Sequence, residues 1–166
     1  YPNLLLYFPA FLMLCGLTLD SAYKIFIFGV FLSLFFSTYF SINMITESKL
    51  PSTIAASLMV LSTPLFFSVY NMLSLGNFTA MIFMAPAICG AWGVVQLNDD
   101  SKSGFSWSLL FGGGFLGLVL THTLSLFFVF LVCAIVMLPY IKNILNCKKI
   151  FIRILSTVAA VLVLSA

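Results

Sequence analysis

The sequence predicts an all-α protein, a polytopic bundle of transmembrane helices with about six spans and one short interfacial or re-entrant segment. Apolar residues make up 63% of the chain and charged residues only 7%, whereas a soluble domain carries roughly 25% charged residues. Apolar runs recur that are long enough to cross a hydrocarbon core of about 30 Å. Because the bilayer offers no water to bond the backbone, such runs are expected to be helical. We expect one transmembrane domain over residues 1–166.

The apolar runs define seven segments. In chain order they are A (4–17), B (23–45), C (51–73), D (77–97), E (105–120), F (123–141) and G, which begins near residue 150. Segment A is short, follows Pro2 and contains Pro9, which is typical of an interfacial or re-entrant piece. Segments B to G supply the six predicted spans. Pro51 is well placed as the first helical residue of segment C.

Segments E and F lie in one apolar run that is too long for a single span. As one helix, residues 105–141 would measure about 55 Å, against a core of about 30 Å. The polar cluster Thr121-His122-Thr123 predicts a tight turn there, with Thr123 or Ser125 capping helix F. The alternative is a break at the three consecutive glycines 112–114.

The positive charges predict the orientation in the membrane. If B to G each cross once, one side receives six of the seven basic residues, and the other receives only Lys24. The six are Lys49, Lys102, Lys142, Lys148, Lys149 and Arg153. The positive-inside rule makes the first side cytoplasmic, with Cys147 among its residues. Asp20, the connector 70–77 and His122 then lie on the outer side.

Composition also limits the partners and the redox chemistry. The net charge of +3 comes from basic residues in short connectors, so no nucleic-acid partner is expected; the expected partner is membrane lipid. Cys15, Cys89, Cys133 and Cys147 have no metal-ligand spacing. The sequence predicts no metal site and no cofactor. Tyr1 is not an initiator Met and the chain ends within an apolar run, so we expect an internal piece truncated at both ends.

Four residues are candidates for binding a substrate at the outer face: His122, Tyr70, Asn77 and Asp20. His122 is the only histidine and interrupts an apolar run, where an ionisable group is costly without a partner. Tyr70 and Asn77 lie in the polar connector between segments C and D. Asn77 is also a plausible N-cap for segment D, and Asp20 either caps segment B or pairs with Lys24.

Small residues predict close helix packing. Gly113 and Gly117 in segment E form a small-xxx-small pair. Segment D carries a similar set: Ala87, Gly90, Ala91 and Gly93. Both patterns predict helix contacts rather than chemistry.

The order of short motifs resembles that of a known group of bacterial membrane proteins. The motifs are Tyr1-Pro2-Asn3-Leu4, Ala22-Tyr23-Lys24, Ala55-Ala56-Ser57-Leu58, Pro64, Tyr70, Gly76-Asn77-Phe78-Thr79-Ala80, Met84-Ala85-Pro86 and Leu120-Thr121-His122. In this order the chain resembles the 6-pyruvoyl-tetrahydropterin synthase-related membrane proteins and the neighbouring YfhO-like group. These families resemble GT-C glycosyltransferases, which take sugars from polyprenyl-phosphate lipids at the outer face of the membrane.

The resemblance implies a multi-pass protein of the bacterial cell membrane. If it is an enzyme, it is a glycosyltransferase that uses a polyprenyl-phosphate sugar donor. The family's catalytic Asp lies upstream of the Tyr-Pro segment, so no catalytic residue is assigned here. Related proteins often carry an acid where this chain has Asn77, which is a poorer metal ligand than a carboxylate.

Two other classes remain open. A transporter or flippase would use broken helices near the midplane, for which Pro64, Pro86 and the three glycines are candidates. A non-catalytic assembly subunit is the third class.

Overall fold

The computed structural model describes residue 5 and residues 7–62, 75–96 and 103–165. Of these residues, 93% are helical and none lies in a strand. The helices are α1 (Tyr7–Leu14), α2 (Leu19–Thr46), α3 (Lys49–Val60), α4 (Leu75–Gln96), α5 (Ser103–Thr121), α6 (Thr123–Met137), α7 (Ile141–Asn146) and α8 (Lys148–Ser165). A 3₁₀ turn, Leu138–Tyr140, joins α6 to α7. The all-α prediction is confirmed for the described residues.

Four helical stretches are long and apolar enough to cross a membrane. They are Leu19–Thr46, Leu75–Gln96, Gly104–Thr121 and Thr123–Tyr140. They correspond to segments B, D, E and F. The described parts of segments C and G do not meet this criterion, so four of the six predicted spans have a membrane-length helix in the described residues.

Helices α4 and α5 form the antiparallel pair at the centre of the bundle. A Cβ on Gly114 would lie 2.5 Å from the backbone nitrogen of Ala87, and one on Gly90 would lie 2.6 Å from the Cα of Phe111. Carbon atoms in contact normally sit about 3.5–4.0 Å apart. The two backbones can therefore approach this closely only because both positions lack a side chain.

The glycine pair predicted in segment E is half correct. Gly117 faces α4, and a Cβ there would overlap the ring of Phe83. Gly113 is exposed, and no atom lies within 4 Å of the place its Cβ would take. The prediction of a close approach at Gly113 is therefore wrong, because the helix phase brings Gly114 to the interface instead.

Helix α6 returns beside α4 and completes a helical hairpin with α5. The Ser125 hydroxyl bonds to Asn77, and the Cys133 thiol lies 3.7 Å from the Ala87 carbonyl, so α6 runs parallel to α4. Since α5 is antiparallel to α4, the chain reverses at His122. The predicted break at this residue is confirmed, and the alternative break at the three glycines is wrong.

Helix α2 packs against α4 through an aromatic contact and one hydrogen bond. The rings of Phe31 and Phe78 meet edge to face with centroids 5.4 Å apart. Pro86 lies inside α4 without ending it, and proline has no N–H to offer the carbonyl four residues earlier, that of Ile82. The Ser37 hydroxyl of α2 donates to this Ile82 carbonyl. The polar group freed by the proline is thus satisfied by a neighbouring helix.

The first and third helices differ in part from expectation. Helix α1 has eight residues, about 12 Å, which is too short for a span. It ends at Leu14 and is followed by a turn in which Gly16 has a φ of 93°. Helix α3 begins after Ser48, so Pro51 is its third residue and not its first. It ends at Val60, so an unbroken helix over segment C is wrong in its described part; residues 63–74 lie outside the described ranges.

The two ends of the bundle differ in polarity. The Arg153 guanidinium lies against Gly104, and Gln96 donates a hydrogen bond to the Tyr140 hydroxyl at the same end. Lys148 begins α8 there. We call this the cationic end. His122 lies where α5 and α6 meet at the opposite end, which we call the polar-cluster end.

Candidate functional site

A single residue, His122, lies between α5 and α6, and its backbone is not helical. Its backbone is extended, with φ −158° and ψ 106°. Its N–H donates to the Leu118 carbonyl at 2.9 Å, and its own carbonyl accepts from the Leu126 N–H at 3.1 Å. The residue therefore closes the last turn of α5 and opens the first turn of α6.

The His122 side chain is the N-cap of α6. Its Nδ1 accepts from the Ser125 backbone N–H at 3.3 Å and lies 2.9 Å from the Ser125 hydroxyl oxygen. The predicted caps, Thr123 and Ser125, are wrong, because α6 already begins at Thr123. An imidazole thus does what Ser, Thr, Asp or Asn usually does at this position.

Ser125 joins His122 to Asn77. Its hydroxyl donates to the Asn77 Oδ1 at 3.1 Å, and the Ser125 side chain is buried. Asn77 belongs to the first turn of α4, which begins at Leu75, so its predicted role as the N-cap of segment D is wrong. The three side chains form what we call the polar cluster: His122, Ser125 and Asn77. It lies where the end of α5 and the starts of α4 and α6 meet.

The N-cap hydrogen bond belongs to one tautomer of the imidazole. In that tautomer Nδ1 uses its lone pair to accept from the Ser125 N–H. The ring proton is then on Nε2, which is a hydrogen-bond donor.

Asp20 does not join the polar cluster. Its Oδ2 lies 2.7 Å from the Lys24 Nζ, and both side chains are 73% exposed. Thr18 caps α2, since its hydroxyl accepts from the Ser21 N–H. Of the two readings of Asp20, the structure therefore supports the pair and not the cap. A surface pair of this kind contributes about 0–1 kcal/mol.

The position of Asp20 along α2 explains the separation. The Phe31–Phe78 contact aligns α2 with the start of α4, next to Asn77. Asp20 precedes Phe31 by about 16 Å along the helix. It lies beyond the cluster at the same end of the bundle.

Tyr70 falls in residues 63–74 and lies outside the described ranges. The sequence predicts Ser125 only as a possible cap of α6. The available signal was the spacing of three residues between His122 and Ser125 at a helix start, because an N-cap side chain reaches the N–H three residues on.

The cluster offers hydrogen bonds and contains no carboxylate, lysine or arginine. Within the described ranges, no group of three His, Cys, Asp or Glu side chains is placed to hold a metal ion. Thr121 is buried and its hydroxyl donates to the Gly117 carbonyl of its own helix, so it adds no donor to the cluster. An oxygen-rich ligand could be held here by the Nε2–H of His122.

Comparisons with protein-family models, with curated proteins and with solved structures find no match for this chain.

Proposed function

We propose that the chain is part of a GT-C-like glycosyltransferase of the bacterial cell membrane that acts at the outer face on sugars carried by polyprenyl phosphate. In this proposal segments B to G cross the membrane six times, and the cationic end faces the cytoplasm. His122 donates a hydrogen bond to the lipid phosphate, with Asn77 and Tyr70 assisting. A carboxylate elsewhere in the full protein acts as the base.

The observation that supports this proposal most is the polar cluster. An ionisable ring sits where three helix ends meet, at the end of the bundle opposite Arg153 and Lys148, with Nδ1 engaged and Nε2 left to donate. Intramembrane and rim polar groups of this kind commonly serve a substrate. Phosphate oxygens are strong acceptors and would suit such a donor. Asp20 no longer belongs among the proposed phosphate-binding residues, because it pairs with Lys24.

The described helices do not favour the transporter alternative. It relied on helix breaks at Pro86 and at the three glycines, and both α4 and α5 run through these positions unbroken. Pro64 lies outside the described ranges. A non-catalytic subunit is distinguished from an enzyme by the experiment below.

The test separates the two roles of His122. In His122→Asn, the amide oxygen can still cap α6, because Asn is a preferred N-cap, but the Nε2–H is lost. In the full-length protein, we expect normal membrane levels and normal heat stability in detergent. We expect transfer of sugar from a polyprenyl-phosphate donor to fall by at least about tenfold, which corresponds to about 1.4 kcal/mol of lost transition-state stabilisation.

The matched control is Thr123→Ala, which removes an exposed hydroxyl from the next residue and should leave transfer unchanged. Full transfer by a well-folded His122→Asn protein would reduce His122 to a helix cap. No transfer by the unaltered protein with any polyprenyl-phosphate sugar would favour the non-catalytic subunit.

A further inference from the structure

An apolar groove of about 470 Å³ runs between α5, α6 and α8. Its lining is aromatic, aliphatic or sulfur-containing except for Thr123 and Thr157. Phe127 and Leu162 on its rim are 58% and 64% exposed, so the groove opens sideways toward the space that lipid tails would fill. Volumes of about 300–1,000 Å³ are usual for sites that hold small ligands.

The length and the apolar walls of the groove suit a hydrocarbon chain. On α6 its lining extends from Thr123 to Met137, a length of about 21 Å. An extended hydrocarbon chain fits a long, narrow groove of this kind. Apart from the hydroxyls of Thr123 and Thr157, the walls offer no hydrogen-bond partners for a sugar.

A cation lies at one end of this groove. Ile154 lines the groove, and the preceding residue, Arg153, places its guanidinium against Gly104 at the start of α5. A Cβ on Gly104 would come within 2.5 to 2.9 Å of three guanidinium atoms, so the guanidinium lies directly against this glycine. Within the described ranges, no acidic side chain pairs with Arg153. Lys148 lies exposed at the start of the same helix.

We propose that the groove binds an anionic phospholipid from the leaflet at the cationic end, with the phosphate at Arg153 and one acyl chain along α5, α6 and α8. Basic pockets between membrane helices hold anionic headgroups in this way on the cytoplasmic side. The positive-inside rule makes this the cytoplasmic leaflet. The site does not depend on the proposed transferase activity, because the polar cluster lies at the other end of the bundle.

The test is native mass spectrometry of the purified full-length protein with phosphatidylglycerol and, separately, phosphatidylcholine carrying the same acyl chains. We expect phosphatidylglycerol to bind and to be retained, and phosphatidylcholine to be lost. Arg153→Gln should weaken phosphatidylglycerol about fivefold, the effect expected for one basic side chain at an anionic headgroup. Arg153→Lys should restore part of the loss.

A second variant tests the groove itself. Val158 lines it and is 44% exposed, so Val158→Trp should fill the channel without disturbing a helix contact. We expect the retained lipid to disappear. Lys24→Gln, which removes the same charge at the polar-cluster end, is the control and should bind phosphatidylglycerol normally. Melting in lipid-free detergent should be equal for all four variants.

Several outcomes would overturn the proposal. Equal weakening by Lys24→Gln and Arg153→Gln would mean diffuse attraction to the whole surface. Undiminished binding by Val158→Trp would mean that no chain occupies the groove. Competition by soluble glycerophosphoglycerol as strong as by the lipid would indicate a free-phosphate site. Displacement of phosphatidylglycerol by a polyprenyl phosphate would assign the groove to the sugar donor instead.

Discussion

Two neighbouring glycines of α5 should respond oppositely to the same added methyl group. A Cβ on Gly114 would lie 2.7 Å from the Ala87 Cα, about 1 Å closer than carbon atoms normally approach. The obstacle is the backbone of α4, which cannot rotate away, so the helices must separate. Overpacking of this kind costs about 1–3 kcal/mol. A Cβ on Gly113 would meet no atom within 4 Å.

Comparing Gly114→Ala with Gly113→Ala measures the steric clash alone, because both substitutions change helix propensity equally. Replacing Gly by Ala inside a helix gains about 1 kcal/mol at either position, so this term cancels in the difference. We expect Gly114→Ala to be less stable than Gly113→Ala by about 1–3 kcal/mol. The measurement is the unfolding midpoint in mixed micelles as sodium dodecyl sulfate increases, followed by circular dichroism. Equal midpoints, or a less stable Gly113→Ala protein, would refute the packing of α4 on α5 described here.

Two further predictions concern the proline in α4 and the cysteines. Ser37→Ala should lower the free energy of unfolding by about 0.6–1.7 kcal/mol, the range for hydrogen bonds between membrane helices. This loss should vanish in a Pro86→Ala background, because the restored N–H of residue 86 can then bond the Ile82 carbonyl. Additive effects in this double-mutant cycle would show that the Ser37 hydroxyl does not replace the missing N–H. In intact cells, a membrane-impermeant thiol reagent should modify the exposed Cys15 and should reach Cys147 only after permeabilisation; labelling of Cys147 in intact cells would reverse the proposed orientation.

The helical hairpin of α5 and α6 was predictable from length and polarity alone. A run of residues 105–141 is too long for one crossing, and His122 lies in its only polar cluster. The identity of the cap was not predictable in the same way. Residue preferences favour Thr123 or Ser125, and only coordinates show that the helix already begins at Thr123, so that neither residue precedes it.

The glycine contacts show what a single sequence lacks. Four glycines of α5 lie within two turns, and the pattern cannot say which of them faces α4. The choice between Gly113 and Gly114 is a rotation of about 100° around the helix axis, and the position of the neighbouring helix decides it. The glycine pattern therefore predicts the right helices for close packing and one wrong position.

The candidate site was predicted in part. His122 and Asn77 are far apart in sequence, and the topology derived from charges put them on one side, where the structure links them through Ser125. Asp20 shares that side, but it lies near the N-terminus of α2, beyond the polar cluster, and pairs with Lys24. The side of the membrane on which a residue lies can be predicted by counting spans. The position of Asp20 relative to the polar cluster depends on how far α2 is shifted along α4, which the sequence does not show.

In the proposed topology, the one-residue junction at His122 also bears on how this part of the chain enters a bilayer during synthesis. Helix α6 begins at the residue after His122, so no connector separates it from α5. We expect α5 and α6 to partition into lipid as one unit. The polar material drawn across the membrane is then little more than one imidazole and the neighbouring hydroxyls, which keeps the cost of crossing small.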